Sequence, residues 1–305
     1  MSFITGKNTP SFAKDTVYRF MKMLQINWIR FTTLLAVRII KEAIIPLDSE
    51  ERVNVLTIDD TMFERNRSKK VELLAKAYDH AKHAYKFGFR MLTLGWSDGS
   101  TFLPVNSILL SSENKKNRIN EASIVDKRTV GYRRRQLSME KGTTAMLELL
   151  KAAKTVAIPA KVVYVRNRNK RKEYLCLIST DTSLSEDEII RIYGKRWDTE
   201  VFFKVCKSYL NLSKECNSLS YDAITAHTAV VFTRYMMLSL ESRESNDSRS
   251  LGEIFLYFTD EMSDITWIQA FQMLLQMFQN ILVDELVDAF MNAIPTVLKS
   301  KLKAA

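Results

Sequence analysis

Glycine and proline are scarce, with 8 and 5 among 305 residues. That scarcity argues against an all-β or linker-rich molecule and favours long helices. The three cysteines, Cys176, Cys206 and Cys216, form an odd set with no C-x-x-C spacing. Neither a disulfide framework nor a zinc site is implied, and a reducing cytoplasm suits them. Histidine is as rare. His80 and His83 stand three apart and would share a helix face, but no acid–cysteine pattern accompanies them, and His227 is isolated. A histidine metal site is not expected. Long apolar runs are missing too: residues 28–45 are apolar but carry Arg30, Arg38, Lys41 and Glu42. This is the pattern of an amphipathic core helix, not a membrane span. The first apolar run begins far from Met1, so no signal peptide is expected. A soluble cytoplasmic protein without membrane contact is the expectation.

What is present is a normal hydrophobic complement, 46% with 10% aromatics, and an excess of 45 Lys and Arg over 35 Asp and Glu, or +10. A polyanionic partner follows from the charge, and nucleic acid is the first candidate. Apolar positions repeating at three and four predict two helices over 10–45. Val53–Ile58 reads as a strand ending on Asp59-Asp60-Thr61, and 89–96 and 101–110 read as two strands joined by the turn 97–100. Residues 112–135 are strongly basic, with Arg133-Arg134-Arg135 at their end. They read as a solvated loop in which Tyr132 among arginines fits phosphate contact with some base stacking. A helix over 140–156, a strand over 161–165, the basic run 166–172 and a strand over 173–180 follow. From 184 onward everything reads as helix: 184–193, 195–212, 220–243, 250–262, 264–280, 282–292 and 294–303. The methionines there, Met236 and Met237 among them, lie at helical spacings as core packing.

The most informative stretch is 193–207, Tyr-Gly-Lys-Arg-Trp-Asp-Thr-Glu-Val-Phe-Phe-Lys-Val-Cys-Lys. Tyr193, Arg196, Glu200 and Lys207 follow one another at spacings of three, four and seven. On a helix these make one stripe. An acid flanked by arginine, tyrosine and lysine on one face suits a metal ligand whose neighbours grip phosphates. The plainer reading is a surface helix with an i,i+4 Arg–Glu pair, worth ~0.3–0.5 kcal/mol. Trp197 beside it is expected to be buried.

Tyr-x2-Arg-x3-Glu-x6-Lys resembles the signature around the catalytic glutamate of IS4-family DDE transposases. The approach, Tyr174–Asp181 and then Glu188–Tyr193, is similar to that family's strand and helix entry. The resemblance implies an α/β, ribonuclease H-like fold with a mixed sheet and extensive N- and C-terminal helices. It implies metal-dependent DNA strand cleavage and transfer through three carboxylates and two divalent ions, Mg²⁺ or Mn²⁺. Asp59 at the strand end and Glu200 would be the catalytic, metal-holding acids, with Asp60 as understudy to Asp59. Tyr193, Arg196 and Lys207 would contact DNA. The partners implied are transposon-end DNA and a second copy, or an intact transposase in a heterodimer.

The second aspartate breaks the pattern. Its place, at the end of the strand after Ile158-Pro159-Ala160, is taken by Arg166, and only 34 positions separate Arg166 from Glu200. Asp181 stands on the wrong strand and Asp126 in the basic loop. The expectation is therefore an incomplete core that lost a block near residues 160 and 161, in a chain shortened at its N-terminus. Residues 1–50 would be a remnant of a helical DNA-binding region, 51–213 the core without its second-Asp block, and 214–305 a helical tail. The leading expectation is a transposase defective in this copy, with a non-catalytic DNA-binding remnant that interferes with an intact relative as the alternative. A working transposase completed by another carboxylate and a decayed product without a stable core also stay open.

Overall fold

The computed structural model describes residues 14–47, 53–79, 82–153, 161–166, 174–179, 181–214, 216–244 and 250–255. The helices expected beyond 255, with their methionines, and the loop at 158–160 lie outside the described residues. Helix α1 spans Lys14–Met21 and α2 Trp28–Ile39. Asn27 caps α2 by accepting the Arg30 N–H at 3.0 Å, relieving one of the donors a helix start leaves unpaired. The buried positions Trp28, Phe31, Thr32, Leu35, Ala36 and Ile39 recur at the helical spacing, so one face of α2 enters the core. The helix then widens into a π turn over Ile40–Ile44 and closes in a 3-10 turn at Ile45–Leu47.

Four strands form the main sheet: β1 (Val55–Glu64), β2 (Ala75–Asp79), β3 (Ala84–Ser97) and β4 (Phe102–Leu110). β3 is the spine. It pairs with β1 from Val55↔Ser97 to Glu64↔Gly88, with β4 from Arg90↔Leu110 to Ser97↔Phe102, and with β2 from Ala75↔Gly88 to Asp79↔Ala84. Where β1, β2 and β3 meet, only glycine fits: Gly88 has φ +155°, and a Cβ there would lie 2.1 Å from the Phe63 carbonyl oxygen. β1, β3 and β4 are the antiparallel meander that opens a ribonuclease H-like sheet, and the fold is α/β of that kind. Every pairing among the described strands is antiparallel, and none of them pairs with the free edge of β1. β5 (Lys161–Arg166) and β6 (Tyr174–Ser179) form a separate hairpin, whose Val163 and Leu177 pack on Ile189.

Three expectations need correction. β2 was not foreseen, and the segment holding His83 is a turn of a β-ribbon, with His83 at φ +48°, not a helix; His80 lies outside the described residues. The supposed basic loop contains the helix α3 (Val130–Ser138), capped by Thr129. Its Arg134 and Arg135 are buried rather than solvated, because Glu72 and Asp222 meet them in the interior.

The remaining helices are α4 (Gly142–Ala152), α5 (Glu186–Tyr193), α6 (Trp197–Ser208) and α7 (Tyr221–Glu244), with helix again over 251–255. Residues from α2, the sheet, α4, α6 and α7 share one core. Met236 is buried there, whereas Met237 faces outward. Phe202 of α6 sits among Phe102, Phe232 and Tyr235 at ring distances of 5.0, 5.2 and 4.8 Å. Burying such a ring contributes roughly 1.5–3 kcal/mol. Its seat also fixes the rotation of α6, which decides where Arg196, Glu200 and Lys207 fall. None of the described helices is long and apolar enough to cross a membrane.

Candidate active site: two carboxylates on one arginine

Side chains on a strand alternate between its faces, so Thr57, Asp59 and Thr61 share one face of β1. α6 lies along that face. The Thr57 and Thr199 hydroxyls meet at 3.1 Å, and Lys207 Nζ donates to Thr61 Oγ1 at 2.6 Å. Four residues of strand and eight of helix cover about the same ~12–14 Å, so the two elements keep step. α6 turns its 199, 202, 203 and 206 positions inward, all of them buried. The 196, 200 and 207 stripe is displaced to the half-exposed rim above β1.

Arg196 joins the two acids there. Its Nη1 donates to Asp59 Oδ2 at 2.6 Å and its Nη2 to Glu200 Oε1 at 2.7 Å. The two acids singled out in the sequence, 141 positions apart, therefore face one guanidinium. Burial raises the Asp59 carboxyl above its ordinary range; the Arg196 charge and the Asp60 N–H oppose this, while the charges of Asp60 and Glu200 add to it. Burial pulls the Arg196 guanidinium down, but Asp59, Tyr193 and Glu200 carry it above its ordinary value. The Arg196 guanidinium carbon lies 5.7 Å from the Tyr193 ring centroid, within reach of the ring's quadrupole. Burial holds the Lys207 ammonium below the ordinary lysine value.

Several sequence expectations change in detail. Residues 193–207 do not form one helix: α5 ends at Tyr193, Gly194–Arg196 is a 3-10 turn, and α6 begins at Trp197. Trp197 is 65% exposed, not buried, because the inward face of α6 is already filled by Phe202 and Phe203. Asp60 points away from Asp59 and forms an ion pair with Arg90 at 2.7 Å, as alternation along β1 requires. Asp126 is engaged by Arg128 at 2.7 Å. Asp181 accepts the Ser183 N–H at 2.9 Å. Arg166 ends β5, away from the main-sheet pairing. Thr61 is part of the Asp59-Asp60-Thr61 motif but carried no expected role, and Thr57 and Thr199 were not singled out, although two threonines spaced two residues either side of Asp59 are a visible sign of a polar strand face. Nor was Asp198, which turns to Ser97 Oγ at 2.6 Å.

A ribonuclease H-like sheet carrying an acid pair is the frame of a carboxylate-based nuclease, in which acids hold the ions that activate water and stabilise the leaving oxygen. The chain belongs to the DDE superfamily endonucleases: the family model of that description matches residues 7–165, just over half of the sequence. The match includes Asp59 and stops short of Glu200. No curated protein and no solved structure matches the chain.

Endonucleases of this superfamily generally use divalent metal ions. Hard cations such as Mg²⁺ require oxygen donors with free lone pairs. Here Asp59 and Glu200 each give an oxygen to Arg196, and no group of three His, Cys, Asp or Glu side chains among the described residues is placed to hold a metal. As arranged, these residues do not fit a pair of ions. A guanidinium stands where positive charge is needed between the acids.

Proposed function

We propose that the chain is a DNA transposase of the DDE type, IS4-like, that binds transposon-end DNA and is defective in strand cleavage. The observation that carries this reading is the meeting of Asp59 and Glu200 on Arg196 without a third acid among the described residues. The Tyr193, Arg196, Glu200 and Lys207 spacing supports the IS4-like assignment, and membership of the DDE endonucleases supports DNA as substrate. In this reading residues 51–213 are the catalytic-type core, flanked by helical regions 1–50 and 214–305.

In an intact relative a further carboxylate beside the counterparts of Asp59 and Glu200 would hold Mg²⁺ or Mn²⁺, and the ions would supply Lewis-acid chemistry. The protein's own residues do the rest. Arg196 matches a phosphate as well as it matches carboxylates, because its planar fork suits either in a bidentate grip. A phosphodiester entering the rim would draw the guanidinium from the acids. Asp59 and Glu200 would then stand as two uncompensated carboxylates in a half-buried site, which a single cation can relieve but which gives two cations too few ligands. Lys207, steadied by Thr61, would add a point charge along the strand. Tyr193 would keep Arg196 in place through its ring.

The second reading is a non-catalytic DNA-binding remnant that interferes with an intact transposase. The absence of a third acid beside the pair among the described residues favours it over a working enzyme. Nicking of a labelled transposon-end duplex in Mn²⁺ or Mg²⁺ separates these readings from a competent nuclease. The expectation is binding without cleavage. Cleavage by the wild-type chain that disappears in Glu200→Gln would overturn the defect and show that another acid completes the site.

A further inference from the structure

The ribbon made by β2 and the first part of β3 turns aromatic rings to solvent. Its register sets Lys76 opposite Phe87 and Tyr78 opposite Tyr85. Strand alternation puts all four on one face, while Ala75, Ala77 and Asp79 are buried on the other. Tyr85 is 64% exposed, and Tyr78 and Phe87 are each more than a third exposed. The two tyrosine rings meet edge to face at 5.2 Å, and Lys76 Nζ lies 5.0 Å from the Tyr85 ring centroid. A lone exposed aromatic needs no explanation, but three side by side make a patch that does.

Basic residues surround the patch. Exposed Arg67, Lys69 and Lys70 lie in the loop between β1 and β2, where Asn66 accepts the Phe87 N–H at 3.0 Å. Exposed Lys115 and Lys116 lie in the 3-10 turn just before Arg118, which bridges to Ala75 of β2. The acids of these segments are already engaged: Glu64 is paired with Lys82, Glu121 with Arg118 and Glu113 with Lys141, and Asp79 is buried on the opposite face. The ribbon also adjoins the site. It joins β1 at Glu64, five residues beyond Asp59, or roughly 17 Å of strand. Lys207 and Thr61 lie between.

We infer that this ribbon is a stacking platform for unpaired DNA. Bases of a single-stranded flank beside the bond that Asp59 and Glu200 face would stack on Tyr85, Tyr78 and Phe87, with Lys76 and the surrounding cations on the phosphates. The inference rests on the DNA-binding reading above and narrows its substrate to DNA with an unpaired segment. In a duplex the faces of the bases are already covered by their neighbours. Only an unpaired strand offers π-faces to aromatic side chains, and a rim of cations suits its backbone. A second copy of the chain would bring like charges together at this face, which opposes self-association.

The test uses the full chain and fluorescence anisotropy with two labelled probes: a blunt duplex, and the same duplex with a single-stranded tail of about ten nucleotides, within the span such sites cover. The tailed probe is expected to bind more tightly. Tyr85→Ser should weaken it about 5- to 150-fold, the loss that one base–aromatic stack gives, while blunt-duplex affinity stays the same. Tyr85→Phe should keep tail binding. The dependence of affinity on salt should not change in either variant, since neither removes a charge. Equal loss on both probes, or no loss on either, would overturn the platform while leaving duplex binding intact. A wild-type dimer that Tyr85→Ser dissociates would overturn it in favour of an interface between copies. Failure of the wild-type chain to bind either probe would refute the DNA-binding reading together with it.

Discussion

Arg196 spans Asp59 and Glu200 at the rim of the sheet; Arg135 spans Glu72 and Asp222 in the interior. The motif is the same, one guanidinium between two acids, but the surroundings differ in every respect. Arg135 Nε donates to Glu72 Oε1 at 2.7 Å, Nη2 to Asp222 Oδ2 at 2.5 Å, and Nη1 to the Gly131 carbonyl at 2.9 Å. Glu72 also accepts the N–H groups of Ser123 at 2.7 Å and Tyr221 at 3.0 Å, and Arg134 adds a second cation on Asp222. Arg135 and Asp222 are only 3% and 2% exposed. A buried network so fully bonded fastens α3, the 71–75 segment and α7 together, and has no capacity left for a ligand. The Arg196 group is partly open, with the Asp59 and Glu200 side chains 22% and 39% exposed. Depth and completeness of bonding separate a structural clasp from a candidate site.

The comparison breaks first at Arg135. Arg135→Met leaves Glu72 and Asp222 buried with half their partners gone and should cost ~3–5 kcal/mol in urea unfolding. A loss under 1 kcal/mol would show the clasp to be dispensable. Lys207→Ala should weaken DNA binding alike across sequences and reduce the slope of log affinity against log salt by ~1. An unchanged slope would remove Lys207 from the phosphate track. Arg196→Ala should cost no more than ~1 kcal/mol of stability, because its pairs are screened by solvent. A loss as large as that at Arg135 would make Arg196 a structural clasp as well.

Acid separates the two groups by sign. Burial pushes Glu72 up, but the bonds from Arg135, Ser123 and Tyr221 outweigh it and hold the carboxyl below its ordinary range. Its contribution to stability is complete above the unfolded value, ~4.3, and is lost as the pH falls through the lower folded one. Asp59 is shifted the other way, since burial prevails over Arg196. Its contribution is greatest below the unfolded value, ~3.9, and is lost as the pH rises through the folded one. Glu72→Gln should therefore flatten the acid limb of a stability–pH curve, whereas Asp59→Asn should steepen it and leave stability at neutral pH unharmed.

The rim site was legible in the sequence because it is written in two short periods. The helical spacing of Arg196, Glu200 and Lys207 and the apolar strand leading into Asp59 each need only local sequence, although that strand does not end at Asp59 as expected but runs on to Glu64, because β3 continues to pair with it. Their convergence follows once Phe202 anchors α6 to the sheet. The clasp was illegible because nothing local distinguishes Arg133-Arg134-Arg135 from a solvated basic run. The acids that draw two of these arginines inside lie 63 and 87 positions from Arg135. Trp197 was misjudged for a similar reason: its exposure is set by what already fills the core side of α6. The β2–β3 ribbon escaped notice because its alternation is only five residues long on β2 and its turn carries no Asn-Gly or Asp-Gly signal.

The central claim is that Asp59 and Glu200 form an acid pair with Arg196 between them and, among the described residues, no third carboxylate to share a pair of ions. Manganese titration of the full chain, followed by electron paramagnetic resonance, tests it without requiring turnover. The account predicts no two-ion site in the wild-type chain, and at most one weakly bound ion in Arg196→Ala that disappears when Glu200→Gln is added. Two tightly bound ions per wild-type chain, lost in Glu200→Gln, would contradict it and restore a complete nuclease centre.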